Sequence, residues 1–95
     1  MKSSEKTNRT FSLGQTVITP NARMSLHPID VGIAIGRHIR CDWGDTVPED
    51  AAENEFSLDK YLRLFSVYHD RAGVKFWIIT EADRSATTIL LPEDY

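Results

Sequence analysis

The residues of this 95-residue chain with the most capacity for chemistry lie together in the run His38-Ile39-Arg40-Cys41-Asp42-Trp43-Gly44-Asp45. A histidine three positions before a cysteine can begin a metal site or a nucleophile–base pair. A structural zinc site needs about four Cys or His ligands at paired spacings. The chain offers only Cys41, His27, His38 and His69, and no C-x-x-C or H-x-x-x-H pair occurs among them. No metal is expected. Neighbouring Arg40 would lower the thiol pKa of an exposed Cys41, but the plainer role is that of a small buried hydrophobe. A single cysteine makes no internal disulfide, which fits a reducing cytoplasm.

Other catalytic patterns are missing. The run "GIAIGRH" has neither the G-x-x-x-x-G-K-[ST] nor the G-x-G-x-x-G spacing needed to cradle phosphate. No serine sits in a G-x-S-x-G elbow. The pairs Glu49/Asp50 and Glu93/Asp94 fall in polar, end-of-element positions, whereas acid–base work at neutral pH needs buried, perturbed carboxylates. The chain therefore reads as a non-enzyme without cofactors. The competing catalytic reading rests on His38 or Cys41.

Binding is the remaining class. Residues 1–40 hold six Lys/Arg and two Asp/Glu, net +4, and residues 41–95 hold five and twelve, net −7, together the −3 of the whole chain. An acidic second half lacks the basic footprint of a nucleic-acid binder. It fits either a solvated surface or a basic partner protein. In "CDWGD", Trp43 sits in a turn between acids. Its ring can close over the core as a lid, the favoured reading. Alternatively it is an exposed aromatic anchor, with Asp42, Asp45, Glu49 and Asp50 as an acidic rim.

These residues must be positioned by one domain, since the length leaves no room for a second core. Residues 1–10 read as a polar, disordered tail without the apolar region of a secretory signal, and residues 11–95 as a single α+β domain. No apolar run approaches the roughly 20 residues of a membrane span, so a cytoplasmic protein with no membrane partner is expected. After a short β-like run at Thr16–Thr19, Thr19-Pro20 reads as a helix start, with threonine capping and proline at the first position. Pro28 ends that helix by disfavouring helical geometry at His27.

Residues 29–40 are ambiguous. Ile29, Val31, Ile33 and Ile35 alternate as in a strand, while Val31, Ile35 and Ile39 share a helical face. Asp30 as N-cap and the bases Arg37, His38 and Arg40 near the end favour helix. Gly32 and Gly36 would each cost it about 1 kcal/mol relative to alanine, and they share a face where another backbone could approach closely. Pro48-Glu49-Asp50 opens a further helix whose Ala51, Ala52 and Phe56 are expected to face the core.

From residue 61 the period changes to two. "YLRLFSVYHD", "VKFWIITE" and "ATTILLPE" read as three strands joined by short links, hence an antiparallel meander carrying two or three short helices. Both links begin Asp-Arg: Asp70-Arg71-Ala72-Gly73 and Asp83-Arg84-Ser85-Ala86. Turn is the leading reading for each, because aspartate bonds nearby backbone N–H groups and glycine accepts positive φ. Consecutive hairpins put the two turns at opposite ends of the sheet, so they cannot form one composite site. Trp77 and Ile79 on one face, and Phe76 and Ile78 on the other, imply a sheet covered on both sides. Helices are expected on one face and the N-terminal segment, a second subunit or a partner on the other.

The runs "FSLGQTVITP", "RHIRCDWGD…ED…NE" and "FWIITEADRSATTILLPEDY" resemble a family of small proteins of bacterial plasmids, integrated elements and phages, the plasmid-related proteins. The resemblance covers nearly the whole chain after residue 10. It departs at "NARMSLHPIDVGIAIG", where other members have a plainer leucine- and alanine-rich helix. A restriction-subunit label carried by some members finds no methyl-donor loop or N-P-P-Y string here. What the resemblance implies is a setting on mobile elements, where small acidic proteins inhibit host defence in the manner of anti-CRISPR or anti-restriction proteins. They occupy a basic surface of a defence nuclease. On that reading Asp42, Trp43, Asp45, Asp83 and Arg84 are the expected contacts. The alternative is a regulatory or maintenance module that dimerises through its sheet and binds another plasmid or phage protein.

Overall fold

The structure of the protein, a computed structural model, describes residues 9–95. The elements run β1 (Gln15–Ile18), α1 (Pro20–Ser25), α2 (Pro28–Ile39), α3 (Pro48–Lys60), β2 (Leu64–His69), β3 (Lys75–Thr80) and β4 (Ala86–Leu90), closed by a 3-10 turn at Pro92–Asp94. The first eight residues of the expected tail lie outside the described residues, while Arg9 at its end pairs with Glu55 at 2.6 Å. No helix among the described residues is long and apolar enough to cross a membrane.

The chain is α+β, but the sheet is not a three-stranded meander. It has four strands in the order β1-β4-β3-β2. The expected hairpins β2–β3 and β3–β4 are antiparallel, with Ile78 opposite both Ser66 and Ile89. β1 joins the far side of β4 in parallel, Ile18 opposite Ile89. A parallel neighbour needs a long crossover. Here that crossover consists of all three helices and two strands, a separation that short-range patterns do not show.

The helices begin where proline sits at their first turn. Thr19 Oγ1 accepts from Ala22 N at 3.2 Å, so α1 starts as expected. α2 is helical, settling the ambiguity of residues 29–40, but its cap is His27 and not Asp30. His27 stays extended before Pro28 and its Nδ1 accepts from Ile29 N at 3.3 Å. α2 ends in a paired C-terminal motif. Cys41 N donates to His38 O and Asp42 N to Arg37 O, with Cys41 at φ 66° in the left-handed position that glycine usually fills.

Side chains alternate along the strands, and one face takes the core. Tyr68, Phe76, Ile78 and Ile89 pack there against Ala22, Leu26, Val31 and Ala34 of the α1–α2 layer. Each large apolar side chain so buried contributes about 1.5–3 kcal/mol. The N-terminal segment lies on this same side, with Phe11 joining Cys41, Trp43, Leu64, Ala51 and Leu58 in a second cluster. It therefore does not cover the opposite face, as one reading of the sequence had it. Gly32 meets no atom within 4 Å of where its Cβ would stand, and Gly36 meets only the Arg40 guanidinium. The expected close backbone approach is not made by any described residue.

α3 turns differently from its apolar pattern. Asn54 and Ser57 are buried while Phe56 is 56% exposed and Ala52 also faces out. The reason is hydrogen bonding. Asn54 Nδ2 donates to Phe65 O at 2.6 Å and Asn54 Oδ1 accepts from Phe65 N at 2.9 Å, so an amide side chain closes the outer edge of β2. Unpaired main-chain groups buried at that edge would cost more than exposing one phenylalanine.

Candidate functional site

His38, the strongest catalytic candidate, is fully buried beneath the sheet. Its Nδ1 lies 2.6 Å from Ser66 Oγ and its Nε2 2.9 Å from Thr80 Oγ1, which is 2.7 Å from Thr87 Oγ1. Thr87 donates its one hydroxyl proton to Leu13 O at 2.7 Å. That orders the whole chain of bonds. Thr80 must donate to Thr87, so it accepts from His38 Nε2–H, and Nδ1 accepts from Ser66. Burial, and secondarily the charge of Arg84, lowers the His38 pKa to about 3, which keeps the ring in this neutral tautomer. The network ties α2, β2, β3, β4 and the N-terminal segment together. Both ring nitrogens are occupied and the ring meets no open surface.

Cys41 is also buried, and burial pushes its thiol up from the ordinary value, opposite to the shift of a reactive cysteine. No group of three His, Cys, Asp or Glu side chains among the described residues is placed to hold a metal ion.

The five residues expected to make contacts are not brought together. Trp43 is 7% exposed, a correction to its role as an anchor. Its ring stacks on Phe11 and stands edge-on to His38, and its Nε1–H donates to Glu55 Oε2 at 2.9 Å. It is the lid of the second core cluster. The loop around it is sewn to β2, since Val67 N donates to Trp43 O and Asp45 N to Val67 O. Gly44, at φ 71°, permits this, because a Cβ there would stand 2.1 Å from Val67 O.

Asp42 and Asp45 remain exposed but partnered. Asp42 accepts two bonds from Arg37, which hold its carboxyl below the usual range, and Asp45 lies 2.8 Å from His69 Nδ1. Asp83 is exposed in the turn at the other end of the sheet. Arg84 is a second correction. It is 7% exposed, and its guanidinium donates to the carbonyls of Ser57, Leu58, Leu62, Glu81 and Ala82. It caps the negative C-terminal end of α3 and lies between the rings of Phe11 and Tyr61. A cavity of about 590 Å³ beside it, of mixed polar and apolar lining, includes Arg9, Asp59, Tyr61 and Asp83. Its two arginines are already committed, to Glu55 and to these carbonyls.

The less covered surface is the other face of the sheet, where three apolar side chains are half-buried. Register places Phe65, Val67, Trp77, Ile79 and Leu90 there. Phe65, Val67 and Trp77 are half-buried, while Ile79 and Leu90 are buried. Among the described residues, Tyr95 reaches over this face, edge-on to Trp77 at 5.8 Å between centroids and accepting a bond from Arg63 at 2.9 Å. Trp77 is also edge-on to Phe65 at 5.1 Å. Glu53, Leu62, Arg63, Phe65, Trp77 and Tyr95 border a groove of about 440 Å³ with Ile79 at its floor. Tyr95 is 73% and Leu62 42% exposed. One turn before Glu53, α3 carries Glu49 and Asp50, both exposed. The sequence signal for this surface was present in Trp77 and Ile79, apolar on the face opposite Phe76 and Ile78. The missing knowledge was which face the helices would leave less covered. No family model, no curated protein and no solved structure matches the chain.

Proposed function

We propose that the protein is a non-catalytic protein-binding module that docks through the aromatic groove on the less covered face of its sheet. The observation that supports this most directly is the groove itself, since aromatic residues in a partly open apolar groove are the usual anchors of protein interfaces. The neighbouring acids Glu49, Asp50 and Glu53 supply an acidic rim, which favours a partner with a basic surface. Basic surfaces of that kind belong to proteins that hold nucleic acid. Joined to the resemblance to mobile-element proteins, this makes the protein an inhibitor of a host defence nuclease, acting by occupying the surface its nucleic acid or partner subunit needs.

The test is a plasmid-establishment assay in hosts carrying an intact CRISPR or restriction system. The wild-type protein is expected to raise establishment, and a Tyr95→Ala/Glu53→Lys variant to lose the effect while melting like the wild type. Tyr95 and Glu53 are both exposed, so the variant leaves the core untouched. Failure to protect against any such system, or equal protection by the variant, overturns the proposal.

A further inference from the structure

The two edges of the sheet are treated differently. The outer edge of β2 is closed by Asn54 on Phe65 and by the loop Trp43–Asp45 on Val67. The outer edge of β1 is covered by no described residue. Gln15 N donates to Ser85 O and Thr19 N to Ile89 O, so the odd-numbered main-chain groups of β1 face β4. The N–H and C=O groups of Thr16 and Ile18 consequently point away from the sheet. No described residue pairs with them. The strand Gln-Thr-Val-Ile contains no charge, proline or bulge, which are the usual guards of a sheet edge.

We infer that the β1 edge pairs with the β1 edge of a second copy of this chain, antiparallel about a two-fold axis midway between the two Val17 residues. One register satisfies every outward group. Thr16 lies opposite Ile18 of the second copy and exchanges two hydrogen bonds with it, and the symmetric pair adds two more. Val17, 41% exposed, then stands directly against its own copy on the less covered face. β-Branched side chains suit that position. The choice of a second copy over a different chain rests on this self-complementarity. The strand has no charge to select an oppositely charged partner, and its outward groups match themselves in one centred register. The product is a continuous eight-stranded sheet that carries the two aromatic grooves on the same face at its opposite ends, with β4 and β1 of each copy between them. So short an edge gives a weak, concentration-dependent dimer.

Sedimentation velocity on the full chain from about 10 μM to 1 mM, with amide hydrogen exchange at both ends of that range, tests this. The expected result is a monomer–dimer equilibrium in which the Thr16 and Ile18 amides gain protection with concentration. Thr16→Pro removes an outward N–H that bonds no described residue, and Val17→Lys places like charges opposite one another. Each should weaken dimerisation at least about tenfold without changing the thermal melt. If Thr16→Pro fails to fold, Val17→Lys decides alone. A monomer at every concentration overturns the inference, as does a dimer that both variants retain. Protection of Thr16 and Ile18 that is independent of concentration and lost on deleting residues 1–8 also overturns it, by assigning the edge to the chain's own N-terminus.

Discussion

The turns Asp70-Arg71 and Asp83-Arg84 start with the same dipeptide and use it in opposite ways. In both, the aspartate organises the backbone. Asp70 accepts from Ala72 N, Val74 N and His27 N, and Asp83 accepts from Ser85 N. The arginines diverge. Arg71 stays at the surface and grips Asp30 with two side-chain bonds, helped by its own N–H, which draws the Asp30 carboxyl down to about 2. Arg84, at φ 63°, folds inward and joins its turn to the last turn of α3. The lesson is that a charged side chain's worth depends on what it leaves unsatisfied. A surface pair can exchange its partner for water, whereas carbonyls beneath Arg84 cannot.

The largest effect expected from breaking this contrast is that of Arg84→Ala. It strips several carbonyls of their donor and opens a cavity between Phe11 and Tyr61, at a cost of about 3–4 kcal/mol in urea denaturation. Arg84→Lys should recover only part, because an ammonium cannot span the fork of acceptors. A loss no larger than that of an ordinary surface substitution would show that the buried turn is no stronger than the exposed one.

Next comes pH, through His38, on which Arg84 acts. The unfolded histidine binds a proton as pH falls through 6.5, while the folded one resists until about 3. The unfolded state therefore binds more protons in this window, and stability, undiminished above 6.5, falls by about 1.4 kcal/mol per unit below it. By pH 4.5 the loss is on the order of 3 kcal/mol. Asp30 and Asp42, whose pKa values are lowered, lose their contribution only further down, below their ordinary value of 3.8. His38→Gln keeps one acceptor and one donor and cannot titrate. Its stability should be flat from pH 7 to 4.5 in equilibrium melts, and an unchanged acid slope would refute the buried-histidine account.

The smallest effect belongs to the exposed turn. Arg71→Ala should lower the melting midpoint far less than Arg84→Ala at physiological salt, and should restore the Asp30 carboxyl toward its ordinary pKa in an NMR titration. A drop as large as that of Arg84→Ala would make the two turns equals.

The sequence was most legible where local geometry decides structure. Thr19-Pro20 and Pro28 marked helix boundaries, the switch to a two-residue period marked β2 to β4, and Asp-Arg marked both turns. It was least legible where distant segments meet. Phe56 was expected inside because it is apolar, yet the α3 face is dictated by Asn54 bonding an edge strand eleven residues on. Trp43 was favoured as a lid, which it is, but its choice as a contact and that of Arg84 rested on residue types that suit interfaces, and nothing nearby in sequence announced Glu55, Phe11 or the carbonyls of α3 as their partners. The less covered aromatic face was half visible, as strands apolar on both sides.

By itself, the sequence determined the starts of α1 and α3, the hairpins and the turns, because steric limits on φ, proline's missing donor and aspartate's reach act within a few residues. Only the tertiary structure decided that β1 lies parallel to β4, that Arg84 turns inward, and that no described residue pairs with the outer edge of β1. Those outcomes depend on long-range closure and on satisfying buried polar groups across the whole molecule at once.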